Sequence, residues 1–255
     1  MGAWNVCTLT DREDTVRPHW RTDLVAKELS HYGIDITALS ETRLAEEGFL
    51  TELTSGYTFF WKGKAQNEDR IHGVGLAVKT CLMKQLSDLP VGINKRLMKL
   101  RLPLSHKWHP IVISAYTPIM NSTEETTEQF YIDLSSILCS VPANNKLILL
   151  GDFNAQVDCD HSQWEGVLGK HGVGKMNSNG LLLLSKCAEY DLLITNAVFR
   201  MANKYKTTWM HPRSKQWHII DFVIVHQRDI RDVLIIRAIQ GAECWTDHRL
   251  VRTIF

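Results

Sequence analysis

KLILLGDFNAQVD, residues 146–158, decides how this chain is read. Leu147, Ile148, Leu149 and Leu150 form an unbroken apolar run between polar residues, as in a short strand buried on both faces. The run stops at Gly151, and Asp152 and Asn154 follow on either side of Phe153. If the strand continued, both side chains would point the same way. A carboxylate and an amide at the exit of a buried strand suit metal-assisted phosphate chemistry. Asp, Asn and Gly also form ordinary turns, so this segment alone leaves the two readings level.

Polar residues recur at similar exits along the chain. Trp4, Asn5 and Val6 end a short apolar segment, and Glu41 follows the alternating Ile34, Ile36 and Ala38. Tyr116 closes the apolar run of IVISAYTP, with Pro118 stopping it. Asp221 lies inside the apolar segment WHIIDFVIV, where a buried carboxylate needs a partner. CWTDHRLV supplies a candidate in His248, beside Asp247.

Taken in order, WNV, SET, AYTP, GDFN, IDF and TDH resemble the endonuclease/exonuclease/phosphatase superfamily over essentially the whole chain. GDFN with TDH is the most specific pair. Within the superfamily the sequence is similar to the apurinic-type endonuclease domain of non-LTR (LINE) retrotransposons, and KTTWMHPRSKQWHIIDFVIV draws it toward a vertebrate group related to such elements. The resemblance implies a four-layer α/β sandwich, two packed mixed sheets flanked by helices. It implies hydrolysis of DNA phosphodiesters with Mg²⁺, or Mn²⁺ as a substitute, nicking a strand to leave a 3′-hydroxyl. Glu41 and Asp247 are then expected at the metal, Mg²⁺ preferring carboxylate oxygen. Asp152 would orient or deprotonate the attacking water, and Asn154 would hold the phosphate or that water. Tyr116 would donate to the phosphate, and Asn5 would support Asp152. Asp221 would accept from His248 and favour its cationic form, leaving His248 to contact a nonbridging phosphate oxygen.

One position departs from the pattern. Many relatives carry an acidic residue two places after the first-motif Asn, where this chain has Cys7. A neutral thiol is a poor Mg²⁺ ligand, so metal binding is expected to rest on Glu41 and water or to be weaker. Only three residues precede Trp4, giving the expectation of a short first strand and a truncated start.

Composition sets the remaining bounds. A chain of 255 residues, 44% hydrophobic and 22% charged, is ordinary for a globular protein and is expected to form a single domain over 1–255. No apolar run approaches the ~20 residues that span a bilayer, so no membrane partner is expected. Without a basic-then-apolar leader, the nucleus or cytoplasm is the expected location. Six scattered cysteines with no CxxC pair argue against zinc and give no disulfide framework. Nothing points to an obligate protein partner.

Net charge is only +1, but its distribution is uneven. From Leu192 to Ile220 there is no acid, while Arg200, Lys204, Lys206, Arg213 and Lys215 fall there with Tyr205, Trp209 and Trp217 between them. That mixture suits a solvated hairpin; beside nuclease motifs it suits DNA, with Trp209 among the contacts. Two alternatives stand: a phosphatase or phosphodiesterase acting on a small phosphoester, and a retroelement relic that binds nucleic acid without cutting it.

Helices are expected at 20–32, 124–138 and 180–190. Val25, Leu29 and Tyr32 share a face of the first, which Gly33 stops; Ser122 or Thr123 can cap the second. Strands are expected at 34–39, 58–61, 74–78, 97–102, 111–116, 192–195, 206–209, 218–225 and 233–239, besides the central 147–150 run. Residues 158–174 read as a long surface loop.

Overall fold

The computed structural model describes residues 1–10, 21–69, 71–103 and 109–255. Trp20, expected to open the first helix, lies outside them. Along the chain come β1 (Gly2–Asn5), α1 (Arg21–His31), β2 (Ile36–Ser40), β3 (Glu47–Glu52), β4 (Tyr57–Lys62) and β5 (Val74–Lys79). A single turn α2 (Thr80–Met83) precedes β6 (Val91–Asn94), β7 (Leu97–Arg101), β8 (Ile111–Tyr116), α3 (Glu124–Ser140) and β9 (Leu147–Asp152). Then follow α4 (Ser178–Glu189), β10 (Leu192–Ile194), β11 (Trp209–Met210), β12 (Trp217–His218), β13 (Asp221–His226), β14 (Ile235–Ile239) and β15 (Leu250–Ile254).

The strands form a seven-stranded sheet, β14-β15-β1-β2-β5-β4-β3, and a six-stranded sheet, β10-β13-β9-β8-β7-β6; β11 and β12 make a separate ribbon. Both large sheets are mixed: β1 runs parallel to β2 and β8 to β9, while the other pairings are antiparallel.

The period of two explains why β9 is apolar throughout. Leu147 and Leu149 pack outward with α3 and α4, whereas Ile148 and Leu150 pack inward against the other sheet. In β8, Ile111 and Ile113 likewise face the helices and Val112 the interior. Ala3, Ala38, Leu76 and Val78 of the seven-stranded sheet share that inner core with Leu100, Val223 and Val225 of the other. Helix α1 closes the outer face of the seven-stranded sheet through Val25, Ala26 and Leu29. The architecture is therefore the four-layer α/β sandwich expected. Each Leu or Ile buried this completely contributes about 1.5–3 kcal/mol, and β9, covered on both faces, gathers that on each of Leu147 to Leu150.

Local chemistry sets the element ends. At the end of α1, Gly33 (φ 61°) lets its own N–H bond Ser30 and that of Ile34 bond Leu29, a left-handed stop. The Thr123 hydroxyl caps α3 by accepting from the N–H of Thr126, with Glu124 and Glu125 in the first turn. Asn177 caps α4, which starts two residues before the expected Gly180.

Several expectations are corrected. The strand foreseen over 206–209 is only Trp209–Met210, because residues 203–205 form a 3₁₀ turn and Lys206 leaves it in the αR region. The strand foreseen over 218–225 breaks at Ile219 and Ile220, so Trp217 and His218 belong to the ribbon. Strand β9 stops at Asp152; Asn154 has φ 46°, so strand alternation does not align the two side chains.

Candidate active site

The same alternation that builds the inner core delivers the site. Ala3 faces inward, and so does Asn5 two residues on; Ala38 precedes Ser40, Val112 leads through Ser114 to Tyr116, and Leu150 leads to Asp152. Strand β13 runs the other way, so its first residue, Asp221, pairs with Asp152, and Tyr116 pairs with Asp152 on the opposite side. Five polar side chains thus meet where the inter-sheet layer opens. Gly151 permits the last step: its φ is 146°, and a Cβ there would stand 1.9 Å from the carbonyl oxygen of Ala115.

The Asn5 amide Nδ2 donates to Asp152 Oδ2 at 2.9 Å and to Glu41 Oε1 at 3.1 Å, holding two carboxylates within about 6 Å of each other. The Tyr116 hydroxyl donates to the same Glu41 oxygen at 3.0 Å, and Arg43 to Oε2 at 2.7 Å. Asp152 Oδ1 accepts from the N–H of Asn154 at 2.9 Å, and the Asn154 side-chain amide donates to the carbonyl of Thr117. His248 Nδ1 lies 3.0 Å from Asp221 Oδ2, with both residues buried. Asp247 Oδ1 accepts from the Cys7 thiol at 3.2 Å and Oδ2 from Trp209 Nε1 at 2.8 Å.

Electrostatics separates two acid–base roles. Asp152 is 1% exposed; burial, then the neighbouring Asp221 charge, raises its pKa to about 7, against His248 and the hydrogen bonds from Asn154 and Asn5. Burial alone would lower His248, but the charge and hydrogen bond of Asp221, with Asp152 and Asp247, outweigh it and lift the imidazole to about 9. A carboxyl poised near neutrality and an imidazolium persisting above it form a base–cation pair. Cys7 is pushed up to about 11, mainly by burial, so it is a thiol rather than a thiolate ligand.

Asp152, Asp221 and His248 each offer one ligand atom within 4.8 Å of the others, the only such trio of acidic, His or Cys side chains among the described residues. Neither Glu41 nor Asp247 belongs to it. Because His248 Nδ1 faces Asp221 and the ring stays protonated, the trio suits proton handling better than metal ligation. Glu41 is the better donor for a hard cation: its carboxylate is partly exposed and neighbours the oxygens of Asp152. Arg43 would have to release it, and Cys7 contributes nothing of that kind.

Backbone conformation marks the same place. Of the eight described non-glycine residues with positive φ, an uncommon state for most side chains, four belong to the hydrogen-bonded network: Cys7, Glu41, Arg43 and Asn154. Reading the sequence missed Thr208, whose hydroxyl accepts from the N–H of Asp221, and Thr246, which donates to the carbonyl of Asn5 and accepts from the N–H of His248. It also missed Ser40, which accepts from the N–H of Asp152. Ser40 and Thr246 adjoin recognised motif residues, the signal by which they could have been found.

The basic segment is less uniform than expected. Arg200, Lys204, Arg213 and Lys215 are exposed, but Lys206 is buried and its ammonium donates to the carbonyl of His171 at 2.7 Å, so it is not a surface cation. Trp209 is half-buried, bonded to Asp247 and bridged to His248. The ribbon therefore does lie beside the site.

Residues 2–248 match the sequence profile of the Endonuclease/Exonuclease/phosphatase family. The chain belongs to this family. Its members are hydrolytic nucleases and phosphatases. Craniofacial development protein 2 of Bos taurus is 28% identical over 254 residues, 98% of this chain but 40% of that protein. The chain thus spans well under half the length of this curated relative. Among solved structures, the catalytic domain of Xenopus laevis APE2 matches with a TM-score of 0.68 at 16% identity, over 99% of this chain and 90% of that one. The endonuclease domain of TRAS1, a telomere-specific non-LTR retrotransposon, matches at 0.61 and 14%, over 97% and 94%. At these identities the structural likeness speaks for the fold.

Proposed function

We propose that this chain is a divalent-metal-dependent DNA endonuclease of the LINE retrotransposon type, nicking one strand to leave a 3′-hydroxyl. The observation that carries the reading is the Asn5 amide bridging Glu41 and Asp152 beside a buried, hydrogen-bonded Asp221–His248 pair. The TRAS1 domain, named an endonuclease, shares the fold.

In this reading Asp152 takes a proton from water as the water oxygen forms a bond to phosphorus. The bond from phosphorus to the 3′ oxygen breaks, and that oxygen takes a proton from solvent. Cationic His248 donates to a nonbridging oxygen and stabilises the charge that develops there. Tyr116 passes its hydroxyl hydrogen bond from Glu41 to the phosphate, and Asn154 holds the water or phosphate. Glu41, with Asp247 as the further candidate, would hold Mg²⁺ or Mn²⁺, which supplies charge neutralisation on the phosphate oxygens. The exposed cations Arg200, Lys204, Arg213 and Lys215 would grip backbone phosphates without reading sequence.

The deciding assay is nicking of supercoiled plasmid with Mg²⁺ and with excess chelator, followed by end analysis. Metal-dependent open circles bearing 3′-hydroxyls are expected. Hydrolysis of a small phosphoester alone would favour a phosphatase, and binding without cleavage a non-catalytic relic.

A further inference from the structure

Arg96 is 5% exposed, and among the described residues no carboxylate lies within 4.0 Å of its guanidinium. A buried cation without a direct counter-ion is costly, so its position needs a reason. Its contacts converge on one residue. Nη1 donates to the carbonyl of Tyr116 at 3.1 Å, and its own carbonyl accepts from the N–H of Tyr116 at 2.9 Å. Both polar backbone groups of Tyr116 are thus engaged by Arg96. The guanidinium carbon also stands 5.1 Å from the centre of the Tyr116 ring, within cation–π range.

Nη2 also lies 3.3 Å from His72 Nε2, and the His72 ring itself stands 6.1 Å from the Tyr116 ring. Burial first, then the charges of Arg96, Lys95 and Lys64, hold His72 down at about 4, so near neutrality the ring is uncharged and Nε2 is free to accept. The proton then sits on Nδ1, which is buried and has no hydrogen-bond partner among the described residues. Beyond the tyrosine ring are Glu41 and Asp152, the carboxylates whose charge favours the guanidinium. His72, Arg96 and the Tyr116 ring thus stand against one another, and the Tyr116 hydroxyl links the group to Glu41.

We infer that Arg96, braced by His72, is a positioning residue of this site, clamping Tyr116 so that its hydroxyl stays aimed at Glu41 and an incoming phosphate. It also sets a fixed positive charge beneath the two carboxylates. An uncharged residue filling the same space would supply neither the two-sided grip nor the charge. This rests on the nuclease reading for its kinetic consequences, but the clamp itself is testable without activity.

The test is a double-mutant cycle between Arg96→Met and Tyr116→Phe, read as the single-turnover nicking rate at saturating DNA and Mg²⁺. If Arg96 works through the Tyr116 hydroxyl, Arg96→Met lowers the rate about 10- to 100-fold alone but less than about 3-fold in the Tyr116→Phe background. Arg96→Lys, which keeps the charge without the planar fork, should recover part of the loss. Equal losses in both backgrounds would reduce Arg96 to a packing residue and overturn the inference. Imidazole ¹⁵N spectra of the wild-type protein give a second measurement independent of turnover and of whether Arg96→Met folds. His72 should be the neutral Nδ1–H tautomer at pH 6–8, and an Nε2–H tautomer would overturn the clamp. Loss of nicking by the wild type under every metal condition would sink the nuclease reading, with the tautomer still deciding the clamp.

Discussion

Replacing Asp152 with Asn should stop turnover and, relative to wild type, favour the folded state increasingly as pH rises. The wild-type carboxyl has a folded pKa of about 7 against an ordinary 3.8, raised by burial and by Asp221. For an acid with a raised folded pKa the sign is a penalty. It is absent below the unfolded value, grows as pH rises between the two, and is complete above the folded one. A shift of about 3 units corresponds to about 4 kcal/mol, of which about 2–3 kcal/mol accrues between pH 5 and pH 8. Asn carries no such penalty. Its amide clashes with the donating Asn5 amide, a cost that does not depend on pH. The stability difference between variant and wild type should therefore swing toward the variant by about 2–3 kcal/mol from pH 5 to pH 8. Urea unfolding of both proteins at the two pH values measures this directly. An identical difference at both would mean that Asp152 is not held near neutrality, and its assignment as the base would lose its physical ground.

The nicking rate should follow a bell in pH, rising as Asp152 ionises near 7 and falling as His248 loses its proton near 9. His248→Ala should lower kcat about 10²–10⁴-fold and remove the falling limb; a retained limb would assign it to another group. Cys7→Asp should lower thermal stability in chelator, because it sets a second carboxylate where the thiol now donates to Asp247 at 3.2 Å. Added Mg²⁺ should restore it and lower the metal needed for half-maximal activity; melting curves insensitive to Mg²⁺ would place Cys7 outside the metal's reach. Lys204→Ala, Arg213→Ala and Lys215→Ala together should weaken DNA binding, flattening the slope of log affinity against log salt by up to about 0.9 for each lost contact. Lys206→Ala should act instead on stability, since its ammonium bonds a loop carbonyl inside the protein. An unchanged slope in the triple variant would mark the ribbon as an ordinary solvated surface.

The inner face of the fold was legible because it obeys a period of two. Leu147 to Leu150 announced a strand covered on both sides, and the polar residues at the strand exits are most of those that gather in the candidate site. Two of the edge strands, β3 and β6, were not legible. β3 reads EGFLTE and β6 VGIN, with Phe49 and Val91 exposed, so neither carries the burial pattern by which a strand is recognised. The chemistry around Lys206 was misread for a related reason: a lysine among lysines looks solvent-facing until the His171 loop is seen to wrap its ammonium. The pairing of Asp221 with His248 was inferred from motif order and is met by the 3.0 Å contact. The support from Thr208 could not be, because a threonine in the KTTW stretch carries no signature of what its hydroxyl bonds.

The Asn5 bridge has a consequence for folding. Glu41 follows β2 in one sheet and Asp152 ends β9 in the other, so a single amide on β1 is stitched across the seam between two sheets that each hydrogen-bond internally. Either sheet can complete its ladder without the other, but the carboxylates meet only after the inner faces have docked. A loosely packed state with intact ladders and parted sheets would keep its far-ultraviolet circular dichroism and lose its catalytic centre altogether. Under the proposed nuclease function, turnover would therefore be a sensor of docking, silent until the last step of tertiary assembly and the first property to vanish when the seam opens.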